Sequence, residues 1–113
     1  MKLNLKTKGT YIPAWNGNRE LEEKEQITVE FRYLTLVDRE GLTDKNANFM
    51  TLAKKLWDKN VVSVKGIDLE VDEKDKKFTP DMIYDLPELN ELFLETANFV
   101  MTASCLEPTE KKN

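Results

Sequence analysis

The segment from Pro87 to about Leu106 limits the fold most. Leu89, Leu92, Phe93, Ala97 and Val100 recur at helical spacing and make one apolar stripe. Leu94, Phe99, Met101 and Leu106 are also apolar but fall off that stripe. A helix apolar around much of its circumference is either central or shared with a partner. A chain of 113 residues has little material with which to surround a central helix. Both readings therefore stay open for Leu94, Phe99 and Met101: burial in the core, or a face for a partner or a second copy.

The remaining segments set what that helix packs on. Residues 27–37 read as a strand, with Ile27, Val29, Phe31 and Tyr33 alternating with Thr28, Glu30 and Arg32. The alternation breaks near residues 34–37, where a bulge or a more buried end is expected. Residues 1–8 alternate as well, with Leu3 and Leu5 on one side and Lys2, Asn4 and Lys6 on the other, and predict a short strand. Phe49, Leu52, Ala53, Leu56 and Trp57 predict a helix over 45–59, capped at Thr43 or Asp44 and stopped by a left-handed Asn60. Residues 61–71 return to strand character with a break at Gly66, and "DEKDKK" follows as a polar turn. Thr79-Pro80-Asp81 is a helix-start signature. The order predicts one α+β domain over residues 1–107: a small, mostly antiparallel sheet with the two main helices packed on one face. Residues 108–113 are expected to form a loose tail.

Composition narrows the function classes. The chain has no histidine, which removes the commonest general base, the commonest metal ligand and every Ser-His or Cys-His pairing. Its glycines form no phosphate-cradling pattern, and its acidic runs lack the glycine and spacing of a calcium loop. No enzyme activity, cofactor or metal is expected. The net charge of −4, with lysines interleaved among acids, makes nucleic acid a poor partner. No apolar run reaches the length of a membrane span. The single cysteine, Cys105, reads as a small buried hydrophobe and suits a reducing, cytoplasmic setting.

The stretch "YIPAWNGNRELEEKEQITVEFR", residues 11–32, stands apart. Asn16, Gly17 and Asn18 tolerate the positive φ that a tight turn requires. Trp57 sits on a helical stripe and reads as core, but Trp15 lies in a loop beside Tyr11, Ile12 and Pro13. Such a Trp either folds back as a plug over the core or anchors a partner. Nothing in the stretch carries catalytic chemistry, whereas an aromatic loop can bind.

This stretch resembles the N-terminal segment of small tail-module proteins of siphophages and prophages of Gram-positive bacteria. In those proteins an aromatic-Ile-Pro, a Trp or Phe, "NGNRELP" and an "EQI-V" strand precede a mixed domain. Here Glu22 stands where that pattern has proline, and the resemblance ends at Arg32. It implies a tail assembly chaperone: a small, acidic, non-catalytic protein of the host cytoplasm. Such a protein covers the apolar helices of the tape measure protein and is displaced as tail tube subunits polymerise. Chaperoning requires exposed apolar surface, for which Trp15, Tyr11, Leu94, Phe99 and Met101 are the candidates, self-association included. Two other readings use the same surfaces. One is a structural virion component, such as a head–tail connector or minor tail protein; the other is a phage-encoded inhibitor of a host protein.

Overall fold

The computed structural model describes residues 1–43, Asn46 and residues 48–110, with side chains through Ala103. Asp44 and Lys45 fall outside the described residues, as do the side chains of Cys105 and Leu106 and the last part of the expected tail, residues 111–113. The described chain is an α+β fold. Strands β1 (Lys8–Tyr11), β2 (Thr28–Arg32) and β3 (Val61–Lys65) form an antiparallel sheet in the order β1-β2-β3. Strands β4 (Asp68–Val71) and β5 (Lys74–Lys77) form a separate antiparallel hairpin. Helix α1 (Leu36–Gly41) is short; α2 (Phe49–Asn60) and α3 (Asn90–Glu110) are the two main helices.

Alternation in β2 sends Val29 and Phe31 into the core and leaves Thr28, Glu30 and Arg32 on the outer face. Tyr11 pairs with Val29 and Gly9 with Phe31, so the inner face continues across β1. A side chain at Gly9 would collide with the Phe31 and Tyr33 rings, which lie over that backbone. Phe99 of α3 stacks on Tyr11 with centroids 3.9 Å apart and meets Phe31 edge-on at 5.9 Å. On its other side α3 meets α2, where Phe93 lies 5.4 Å from Trp57. Trp57 is buried, as its helical spacing predicts, and its indole N–H donates to Pro80 O at 2.8 Å.

Several boundaries differ from the sequence reading. Residues 1–7 form no strand in this chain, and Leu3 and Leu5 are exposed. The strand expected over 27–37 ends at Arg32. Thr35 then caps α1: its hydroxyl accepts from Asp38 N at 3.2 Å, and Asp38 Oδ2 accepts from Thr35 N at 2.9 Å. The register irregularity lies earlier than expected, between Glu30 and Phe31 where they pair with β3. Helix α2 starts later, at Phe49, because Asn48 supplies the cap by accepting from Thr51 N at 2.9 Å. Asn60 is not a left-handed stop. It stays helical and buried, and its amide donates to Arg32 O at 3.1 Å, tying α2 to β2. The polar run after Val71 is a turn at Asp72 and Glu73 followed by strand β5. Asp72 and Glu73 take φ of 53° and 66°, which turns the chain straight back into β5. Helix α3 continues to Glu110, past the expected end at Leu106.

Candidate partner-binding surface

The 11–32 stretch folds on itself. Asn16 and Gly17 take φ of 51° and 74°, as a tight turn demands. This swings Asn18 inward, where it is buried. Its amide nitrogen donates to Pro13 O at 2.8 Å and Ile27 O at 3.0 Å, while its oxygen accepts from Ile27 N at 2.6 Å. One side chain thus joins the two ends of the excursion. Arg19 Nε donates to Ile12 O at 2.8 Å, and Gln26 Nε2 donates to Arg19 O and Leu21 O. Residues within the 11–32 stretch therefore hold the loop together.

Glu95 then clamps the loop to α3. Its Oε2 accepts from the Tyr11 hydroxyl at 2.5 Å and from Ala14 N at 2.7 Å. Burial, reinforced by the Glu95 carboxylate, pushes the Tyr11 hydroxyl up to about 12. Arg19 lies over the Tyr11 ring at 5.7 Å.

This arrangement consumes most of the surface expected to dock a partner. Tyr11 belongs to the core, only 9% exposed, and is corrected from surface anchor to structural residue. Trp15 packs half-buried against the core as the plug reading has it. Leu94, Phe99 and Met101 are likewise half-buried and packed against the core. Within residues 90–103, α3 exposes only Asn90, Glu91, Asn98 and Thr102. The helix is enclosed on several sides: Phe99 packs on Tyr11 and Phe31 of the sheet, Phe93 lies against Trp57 of α2, and the loop around Trp15 is fastened at Glu95.

Exposed apolar surface appears instead at α1. Leu36 and Val37 are 76% and 67% exposed. Val37 borders a cleft of about 360 Å³ whose other apolar walls are Leu34, Leu42 and Leu56, with Lys55, Asp58 and Lys59 also lining it. Beside the cleft, Asp38 ties α1 to the end of α2. That carboxylate pairs with Lys59 Nζ at 2.7 Å and receives a longer contact from Asn60 Nδ2 at 3.4 Å. The missed signal was Thr35-Leu-Val-Asp38, a capping pattern inside what read as the end of a strand.

Lys59, with the Thr35 backbone N–H, holds the Asp38 carboxyl down to about 2. Its folded value lies below its unfolded one, so its contribution is complete above about pH 4 and is lost as the pH falls through about 2. Lys59 is well exposed, which limits the effect to about 1–2 kcal/mol. Asp38→Asn should lower stability by that amount near neutral pH, and the gap from the native chain should close at about pH 2. Urea titrations at a series of pH values measure this. A gap independent of pH would refute the linkage.

Tyr84, at the start of the segment leading to α3, donates to Asp58 Oδ1 at 2.6 Å; burial and that carboxylate raise its pKa. Among the described residues no cluster of His, Cys, Asp or Glu is placed to hold a metal, and no helix is long and apolar enough to cross a membrane. No family model, curated protein or solved structure matches the chain.

Proposed function

We propose that this chain is a non-catalytic phage tail assembly protein of the chaperone type, acting in the host cytoplasm. Its client would be the tape measure protein, bound through the apolar face of a helix laid in the cleft beside α1. One observation carries the docking site: Leu36 and Val37 stand in solvent next to a cleft walled by Leu34, Leu42 and Leu56. An amphipathic helix presents apolar side chains at the spacing such a groove accepts. The client class rests on the resemblance of residues 11–32, whose internal hydrogen bonds give that pattern an architectural role in presenting the rest of the domain.

The test is co-expression with the tape measure protein of the same phage or prophage. The native chain should raise the soluble yield of the client and co-purify with it. Leu36→Asp with Val37→Asp should abolish both while the variant keeps its own melting temperature, since neither side chain is buried. A client equally soluble without this protein would refute the reading. Retention of the protein in purified virions would favour the structural-component alternative.

A further inference from the structure

Two parts of the molecule lack a neighbour that their sequences are made for. Residues 1–7 alternate leucine with lysine or asparagine, yet form no strand; Leu3 and Leu5 are 66% and 71% exposed. The β4–β5 hairpin is a two-stranded ribbon, which needs a third strand or a packed face for stability. Strand β4 pairs with β5 on one edge and, among the described residues, with no strand on the other. Its sequence, Asp68-Leu69-Glu70-Val71, alternates acid with apolar residue. The leading segment alternates base or amide with apolar residue in the same period.

We infer that residues 2–6 of one copy add as a third, antiparallel strand to the free edge of β4 in a second copy. In that register Leu3 faces Val71, Leu5 faces Leu69 and Lys6 faces Asp68, with Lys2 beside Asp72. Directly opposed residues share a face, so apolar pairs meet on one side and opposite charges on the other. Leu69 already packs against the core, and the cleft beside it, about 610 Å³, is also lined by Val64, Ile67 and Phe78. An incoming leucine extends that apolar surface. Pairing of the segment with itself is disfavoured, because it sets Lys2 and Lys6 against lysines.

Topology makes the donor a second copy. The leading segment leaves the sheet beside Tyr33, whose N–H donates to Thr7 O, on the β1 edge. The hairpin leaves from the other end, after Lys65 opposite Thr28, on the β3 edge. Seven extended residues reach about 23 Å, too little to reverse direction and cross both the length and width of the sheet. Donor and acceptor at opposite ends make the contact head-to-tail, so copies assemble into a ring or an open chain. This inference does not depend on the client proposed above.

Sedimentation of the full chain at concentrations up to about 1 mM, where even weak specific association shows, tests it. Assemblies larger than a dimer are expected. Leu3→Asp with Leu5→Asp should leave a folded monomer. Lys6→Glu should weaken association roughly tenfold or more, and Asp68→Lys on the same chain should restore it. A chain lacking residues 1–6, mixed with one carrying Asp68→Lys and Glu70→Lys, should stop at a one-to-one dimer. A native chain monomeric throughout, or assembly unchanged by Leu3→Asp with Leu5→Asp, would overturn the inference. Rescue of Lys6→Glu by Asp72→Lys instead of Asp68→Lys would overturn the antiparallel register.

Discussion

Gly66→Ala is expected to destabilise the protein by about 2–4 kcal/mol, close to the largest cost a single added methyl carries. Two causes act together. Gly66 has φ of +90°, which side chains with a Cβ avoid. An added Cβ would also overlap Gln26 O and lie 2.9 Å from Ile27 Cα, so rigid backbone has to move. Gly66 is where β3 ends and the hairpin begins, and where the sheet meets the end of the 12–27 excursion. Urea denaturation gives the value directly. An unchanged midpoint would mean that this close approach does not exist in solution.

Asn18→Ala should cost a similar amount, about 2–4 kcal/mol, because it strands Pro13 O, Ile27 O and Ile27 N in or near the core at once. The more discriminating variant is Asn18→Asp, which keeps the shape. It replaces the NH₂ that faces two carbonyls with an oxygen, so it should be at least as damaging as alanine. If Asn18→Asp were neutral, the amide would not be the tie between the ends of the loop. Hydrogen exchange at Ile27 N, expected to quicken in Asn18→Ala, which removes its acceptor, locates the effect.

The inner face of β2, the core stripe of α2 and the break at Gly66 were legible because each rests on local pattern: alternation, helical spacing, and a glycine between two β-rich runs. What failed had other causes. Residues 1–7 alternate as cleanly as any strand, but a strand is a pairing, and pattern alone does not supply the partner. The hairpin carries only lysine and aspartate in β5, so no apolar period announces it; the turn at Asp72 and Glu73 creates it. Asn60 has the composition of a helix stop, yet its contacts to Arg32 O and Asp38 keep it helical, a tertiary preference that propensity cannot contain.

The surface itself shifted for the same kind of reason. Leu94, Phe99 and Met101 lie off the main stripe of α3, and helical periodicity alone would leave them uncovered. Yet all three pack against the core, Phe99 under the Tyr11 and Phe31 rings of the sheet, while the Trp15 loop is fastened to α3 at Glu95. Periodicity shows which side chains want cover, not which distant element provides it. Leu36 and Val37, conversely, read as the bulged or more buried end of a strand and stand in solvent on α1.

Methyl chemical-shift mapping on the full-length protein, titrated with helical segments of the tape measure protein, tests the proposed docking site most directly. Saturable shifts confined to Leu34, Leu36, Val37, Leu42 and Leu56, absent after Leu36→Asp with Val37→Asp, are the predicted result. Shifts centred on Leu94 and Met101, or none at any of these methyls, would contradict it.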